Sequence, residues 1–135
     1  MSTVSKIAML ALAVAPQMVW AQDADVGRAH YHAHCATCHG QEGAGDGPMA
    51  GVLLVPPSDL TTLSARYGGT FPTERVVKRI DGREPLVSHG SPMPVFGDYF
   101  ERRFDVPLTL VTGEKLWTSQ PVLDLVAYLR ELQSP

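Results

Sequence analysis

Apolar residues at helical spacing occur near both ends of the chain and predict a helix at each end. Near the start, Val26, Ala29 and Ala33 lie three or four residues apart, the spacing that puts side chains on one face of an α-helix. Asp23 or Asp25 precedes this pattern, and either carboxylate is a suitable helix cap. The pattern therefore predicts a first helix that begins near these two residues and runs towards residue 39.

The last helix is predicted to open at Ser119 and Pro121, since proline is favoured in the first turn of a helix. We expect its apolar face to cross the first helix at Gly27, with Tyr31 covering the contact. Glycine inside a helix costs about 1 kcal/mol relative to alanine, so a packing reason and no reason at all both remain open. The apolar stripe that predicts this helix consists of Val122, Leu125, Val126, Leu129 and Leu132.

Two shorter helices are predicted between these. The first covers residues 60–66, is capped by Asp59 and ends at the glycines 68 and 69. The second covers residues 74–80, is capped by Thr73 and has Gly82 beyond its end. This second helix carries three basic side chains, which form either an ordinary solvent-facing surface or a site for anionic groups or a partner. These three residues are Arg75, Lys78 and Arg79.

The remaining segments do not follow helical spacing. Residues 40–57 are interrupted by five glycines and three prolines, so helix is not expected through most of them. Residues 97–118 mix aromatic and charged residues with a Thr112-Gly113 break and are left unassigned, apart from a helical turn at 99–103.

Residues 1–21 have the pattern of a signal peptide. Lys6 is followed by a nine-residue apolar run and by Val19-Trp20-Ala21, so cleavage is expected before Gln22. A spanning helix needs about twenty apolar residues, so an uncleaved membrane anchor is the weaker alternative. The prediction is an exported, periplasmic protein whose residues 22–135 form one domain.

The charge of the chain excludes one class of partner. Removing the leader takes away Lys6 and no acidic residue, so the formal net charge changes from −3 to −4. A mildly acidic chain is not expected to bind nucleic acid. Without a later apolar run, no stable membrane insertion is expected either.

Residues 35–39, Cys-Ala-Thr-Cys-His, form the C-x-x-C-H motif of covalent c-type haem attachment. On a helix, Cys35, Cys38 and His39 share one face, so two thiols reach the two vinyl groups of one porphyrin edge while the imidazole meets the iron. A thioredoxin-like dithiol would need a βαβ pattern, a zinc site would need more ligands, and a disulfide across so short a loop would stabilise little. The motif predicts one covalent haem c, with iron bound by His39.

Met93 is the predicted second iron ligand. It lies between Pro92 and Pro94, which stiffen the loop and reduce the entropy lost on ordering it. A thioether is a soft neutral ligand, and His/Met ligation raises the potential of haem. The alternatives are His89 as the ligand, an open iron position, and a core methionine that only fills space.

An iron-bound histidine usually donates its second ring N–H to an acceptor, which fixes its tautomer. We expect this acceptor to be a backbone carbonyl at one of the prolines of residues 40–57 or at a neighbouring residue, and we select Pro48. The glycines of this segment let backbone lie close against one face of the haem.

The combined pattern resembles class I (mitochondrial-type) bacterial cytochromes c with a single haem. The matching pieces are Gly27-x-x-x-Tyr31-x-x-x-Cys35-x-x-Cys38-His39-Gly40, then Pro92-Met93-Pro94 with Phe96-Gly97, and Leu125-Val126-Ala127-Tyr128-Leu129. The resemblance implies an all-α fold around one haem, thioether bonds at Cys35 and Cys38, and iron ligation by His39 and Met93. The segment before the last helix is longer than a minimal cytochrome needs.

The resemblance also implies electron transfer. The leading expectation is a periplasmic one-electron carrier, not an enzyme, that meets redox partner proteins transiently. The first alternative is a dedicated cytochrome subunit of an exported dehydrogenase or reductase complex, with residues 97–118 as its interface. The second is an open-site haem enzyme or gas sensor.

Overall fold

The computed structural model describes residues 21–84, 93–97, 100 and 103–134. The predictions made for residues 1–20, for His89 and Pro92, and for most of the turn at 99–103 lie outside the described residues. In chain order the described elements are α1 (Ala24–His34), α2 (Ala36–His39), a 3₁₀ turn (Ala50–Val52), α3 (Leu63–Arg66), α4 (Thr73–Asp81), β1 (Val106–Thr109), β2 (Lys115–Thr118) and α5 (Gln120–Glu131).

Helices α1 and α5 pack against each other at Gly27, as the sequence predicts. A Cβ atom at Gly27 would lie 2.0 Å from the carbonyl oxygen of Asp124, so only glycine allows this approach. Tyr31 is fully buried beside the crossing, and its ring centroid lies 5.3 Å from that of Tyr128. The predicted crossing and the predicted role of Tyr31 are both confirmed.

The start of α1 is tied to α5 by hydrogen bonds. The Asp23 carboxylate caps α1 by accepting the N–H groups of Asp25 and Val26. The backbone N–H of Asp23 donates to the buried carboxylate of Asp124, at 2.9 Å. The Gln120 amide donates to the same Asp124 oxygen, at 2.7 Å. Asp23, and not Asp25, is therefore the cap.

The middle helices differ from the prediction at their starts. Helix α3 begins at Leu63, because the Asp59 carboxylate accepts the N–H and the hydroxyl of Thr61 and so forms a turn instead of a helix cap. Thr73 is the first residue of α4, and its hydroxyl accepts a hydrogen bond from Arg130 of α5. The predicted ends are confirmed, since Gly68, Gly69 and Gly82 all have positive φ.

A two-stranded antiparallel hairpin occupies part of the segment that sequence reasoning left unassigned. Val106 pairs with Thr118, and Leu108 pairs with Leu116. Val106 and Leu108 alternate with more exposed residues and join the core. The helical fold class is confirmed, with this hairpin as an addition.

Within the part of the chain that the structure describes, no helix has both the length and the apolar character needed to cross a membrane.

Candidate functional site

The four residues selected from the sequence line one cavity of about 520 Å³. Cys35, Cys38 and His39 lie at the α1–α2 end of this cavity, and Met93 lies on the segment that follows α4. The volume falls within the range of small-molecule and cofactor sites. Its apolar lining includes Leu53, Val55, Pro56, Pro57, Leu60, Leu63, Val76, Ile80, Phe96, Leu125 and Leu129.

The motif keeps helical geometry although the helix is interrupted at Cys35. Cys35 has φ −114° and ψ −36°, so it ends α1 and caps α2. Its carbonyl accepts the N–H groups of Cys38 and His39, at 3.1 and 2.9 Å. Residues three and four positions after Cys35 therefore remain on its side of the helix, as the motif requires.

His39 is oriented by a backbone carbonyl. Its Nδ1 lies 2.9 Å from the carbonyl oxygen of Ser58. Because a carbonyl only accepts, Nδ1 carries the proton, and Nε2 keeps its lone pair for a metal. Burial lowers the pKa of His39 below its ordinary value, and the bond to Ser58 opposes this effect, so the ring is neutral at neutral pH.

The prediction that a backbone carbonyl at or beside one of the prolines accepts the second ring N–H of His39 is confirmed, but the selection of Pro48 was wrong. Ser58 follows Pro57, so it is a neighbour of one of the prolines, but it is not Pro48. Pro48 is displaced because the glycine segment turns back onto the motif: Gly45 donates to the His39 carbonyl, at 2.7 Å, and Gly47 donates to the Cys38 carbonyl, at 3.1 Å. This places Pro48 beside Ala36 and Gly40, away from the cavity.

Close backbone packing in this loop explains two of its glycines. A Cβ atom at Gly47 would lie 2.5–2.7 Å from three carbonyl oxygens of α2. Gly40 has φ 86°, and its carbonyl accepts the hydroxyl of Tyr31 at 2.7 Å. Both the loop and Tyr31 of α1 therefore hold α2 in place.

Cys35 and Cys38 are both partly buried, and no disulfide joins them. Burial, with a smaller contribution from Cys38, raises the pKa of the Cys35 thiol to about 11. The thiol is therefore protonated at neutral pH. This is unlike the lowered pKa of a catalytic dithiol, so the local environment does not favour the thioredoxin-type alternative.

The segment that carries Met93 packs against the end of α4. The Phe96 N–H donates to the carbonyl of Ile80, at 2.9 Å. A Cβ atom at Gly97 would lie 2.6 Å from the carbonyl oxygen of Asp81, so the two backbones are in direct contact. These contacts bring Met93 to the cavity wall.

Basic side chains are concentrated on one part of the cavity lining. Arg75 and Arg79 of α4 line it together with Glu84, whose side chain is 11 % exposed. One carboxylate oxygen of Glu84 lies 3.3 Å from Arg75 and the other lies 3.1 Å from Arg79. Arg66 also lines the cavity, so its charged side chains sum to a positive charge. Lys78 instead pairs with Glu74 on the surface.

Of the three histidines that precede the motif on α1, His32 is exposed, whereas His30 and His34 are partly buried. His30 and His34 pack against the buried ring of Phe100, at centroid distances of 5.4 and 5.8 Å, and His34 also lines the cavity. Among the described residues, no group of three or more His, Cys, Asp or Glu side chains could hold a metal ion. The helical period, which puts residues 30 and 34 on one face of α1, is the signal in the sequence that these two histidines lie together.

The donor set and the cavity fit a haem. Two thiols lie near an imidazole whose Nε2 is free of the Ser58 bond, a thioether lines the same cavity, and the walls are largely apolar. Positive side chains on the lining suit the propionate groups of a haem.

The chain was also compared with known proteins. A family model described as Cytochrome c matches residues 24–133, which are most of the chain and include every element around the cavity. Searches of curated proteins and of solved structures gave no match. The matched family generally carries electrons with haem c and its iron. With the motif, the cavity and most of its length included in this match, the chain belongs to the cytochrome c family.

Proposed function

We propose that this protein is a periplasmic one-electron carrier with a single covalently attached haem c. In this proposal Cys35 and Cys38 would hold the haem through thioether bonds, and His39 and Met93 would bind its iron. The observation that carries the proposal is the shared cavity: all four side chains line it, and the Ser58 carbonyl already fixes the tautomer of His39.

Bound haem supplies the redox chemistry, because its iron takes up and releases single electrons. The chain holds and tunes that group. Ser58 keeps Nε2 of His39 in its metal-binding form and prevents rotation of the ring. The apolar walls exclude water, and the neutral thioether of Met93 favours the reduced state. In this proposal no side chain acts as a general acid, a general base or a nucleophile.

We assign Arg75 and Arg79 to the binding of the propionates. Both line the cavity and share the carboxylate of Glu84, so their guanidinium groups are held at the wall before the cofactor binds. Of the two interpretations of the basic helix, the anion site fits Arg75 and Arg79, and the solvent-facing surface fits Lys78.

Mass spectrometry of the exported protein tests the attachment. The expected mass is that of residues 22–135 plus one haem, and the cofactor should stay with the chain after denaturation. The Cys35→Ala/Cys38→Ala variant should lose the cofactor on denaturation. A colourless wild type with the mass of bare polypeptide would contradict the proposal.

Optical spectra test the second ligand. Oxidised wild type should show the weak long-wavelength absorption band of Met-ligated ferric haem, and Met93→Ala should lose it and have a lower reduction potential. Met49→Ala is the matched control, because Met49 is exposed and does not line the cavity. Retention of the band in Met93→Ala would exclude Met93 as the ligand. A five-coordinate reduced wild type would instead favour the enzyme or sensor alternative.

The second candidate function is that of a cytochrome subunit within an exported oxidoreductase complex. The observation in its favour is exposed apolar surface in and beside the hairpin: Phe104 is 40 %, Val111 is 85 % and Trp117 is 48 % exposed. Exposed tryptophan is frequent among the residues that dominate binding at interfaces. The partner in this case is a larger redox subunit bound at the hairpin.

A further inference from the structure

The end of α4 contacts two segments that are distant in the sequence. On one side, the Met93 segment rests on it, since Phe96 donates to the Ile80 carbonyl and Gly97 lies against the Asp81 carbonyl. On the other side, Arg83 reaches the hairpin: its Nη2 donates to the Trp117 carbonyl, at 2.9 Å. The end of α4 therefore joins the Met93 segment to β2.

Arg83 also contacts the residue at which the chain approaches the hairpin. Its guanidinium carbon lies 4.4 Å from the ring centroid of Phe104. Phe104 precedes β1 by one residue, Asp105. Arg83 and Phe104 thus stand at the two ends of residues 84–103, the stretch that carries Met93. Their contact closes this stretch at its base.

The guanidinium is itself held firmly. The Asp81 carboxylate, whose side chain is 1 % exposed, accepts hydrogen bonds from Nε and Nη2 of Arg83 and from its backbone N–H. Gly82, with φ 83°, makes the left-handed turn that brings Arg83 back over Asp81. A two-point bond from a buried carboxylate leaves the planar guanidinium little freedom.

We propose that Arg83 is a positioning residue for Met93. By bonding Asp81 and Trp117 at once and stacking on Phe104, it clamps the ends of residues 84–103 together and so lowers the entropy gained when the Met93 segment leaves the cavity. The hairpin is then an anchor for the ligand-bearing segment. The proposal rests on the proposed function, in which Met93 binds the iron.

The test compares haem-loaded Arg83→Gln with wild type. The equilibrium constant for loss of the Met–iron absorption band, followed by titration to alkaline pH, should rise about tenfold, as expected for a lost hydrogen bond to a charged group. Global unfolding, followed by far-ultraviolet circular dichroism, should occur at a pH well above the one at which the band is lost. Arg28→Gln is the matched control, because Arg28 contacts α1 and α5, through two long ion pairs and the ring of Tyr128.

Two further variants distinguish an effect of Arg83 on the Met93 segment from an effect on the stability of the whole fold. Arg83→Lys keeps a positive charge beside Asp81 but loses the planar, two-point contact of the guanidinium. Compared with Arg83→Gln, it should therefore recover most of the unfolding free energy, while the Met–iron band is still lost at a lower pH than in wild type. The double variant Asp81→Asn/Arg83→Gln leaves no unpaired buried charge, and it should still lose the Met–iron band at a lower pH than wild type. If the band and the fold are lost together in all three variants, Arg83 only stabilises the fold and the proposal is wrong.

Amide hydrogen exchange gives a readout that does not depend on iron ligation. In Arg83→Gln, exchange should accelerate in residues 93–97 and remain unchanged in α1 and α5. Unchanged exchange in residues 93–97 would overturn the clamp. A wild type without the Met–iron band would overturn the proposed ligand instead, and hydrogen exchange would still decide whether Arg83 holds the segment.

Discussion

The hydroxyl of Tyr31 connects the core to the haem-attachment motif. The side chain is fully buried, and its hydroxyl donates to the carbonyl of Gly40, the residue that follows His39. Burial is the main cause that raises the pKa of Tyr31 above its ordinary value of 10. One residue thus packs the α1–α5 crossing and fixes the end of α2.

At the residue scale we predict an alkaline loss of stability due to Tyr31. The unfolded chain releases the phenol proton near pH 10, whereas the folded chain retains it to higher pH. The contribution is therefore complete below pH 10 and decreases above it, by about 1.4 kcal/mol at pH 11. Denaturant unfolding of the haem-loaded protein between pH 8 and pH 11 measures this decrease.

Tyr31→Phe should lack this part of the pH dependence. Below pH 10 it should also be less stable than wild type, by about 1 kcal/mol, because the hydrogen bond to Gly40 is lost. The difference in unfolding free energy between wild type and variant should therefore shrink as the pH rises. A constant difference would show that the phenol does not resist ionisation in the folded protein.

The crossing of α1 and α5 is the central packing contact at the scale of elements. Gly27 allows backbone contact there, and Asp124 ties the start of α1 to α5 through Asp23. Because α1 leads directly into Cys35, this crossing sets the position of one wall of the cavity.

We predict that Gly27→Ala destabilises the protein by about 1–3 kcal/mol, because its methyl group would overlap the Asp124 carbonyl and force the helices apart. Gly51→Ala is the matched control: a Cβ atom there would meet nothing within 4 Å. Chemical denaturation of both haem-loaded variants measures the effect. If Gly27→Ala and Gly51→Ala had equal unfolding free energies, the close approach of α1 and α5 would not be needed for stability.

The hairpin should also contribute to stability through one face only. Leu108 is buried and belongs to the core cluster, so Leu108→Ala should cost about 2–4 kcal/mol. Thr109 is the next residue, points to the opposite face and is exposed, so Thr109→Ala should cost less than about 0.5 kcal/mol. Thermal and chemical unfolding of the two variants would compare them. Similar losses would show that the strand does not pack as described.

At the scale of the whole molecule, two exposed apolar regions distinguish the two candidate functions. One is the hairpin region with Phe104, Val111 and Trp117. The other follows the glycine segment, where Val52, Leu54 and Val55 are exposed, and where Leu53 and Val55 also line the cavity. The second region lies beside the cavity, and in the carrier proposal it is the surface that a redox partner would contact briefly.

The subunit candidate predicts that the protein purifies from its native host with a larger redox protein and that Trp117→Ser removes this association. Val52→Ser, a change of similar character on the other region, should leave it intact.

The carrier candidate predicts that wild type elutes alone in size-exclusion chromatography. In that case Val52→Ser should slow electron exchange with partners more than Trp117→Ser does.

Features that depend on local spacing could be predicted from the sequence. The motif at residues 35–39, the stripe of α5 and the helix ends at Gly68, Gly69 and Gly82 each depend on residues close in the chain. Gly27 and Tyr31 were also assigned correctly, because a glycine inside a helical pattern needs a close neighbour and α5 was the remaining long apolar helix.

Contacts between groups that are distant in the chain could not be predicted from the sequence and depend on how the elements pack. Pro48 and Ser58 both offer carbonyls after His39, and the return of the glycine loop onto α2 selected Ser58. The hairpin was not predicted because its four-residue strands carry little periodic signal, and its pairing depends on packing against the core. The link from Asp81 through Arg83 to Trp117 joins residues more than thirty positions apart, a distance over which local patterns contain no information.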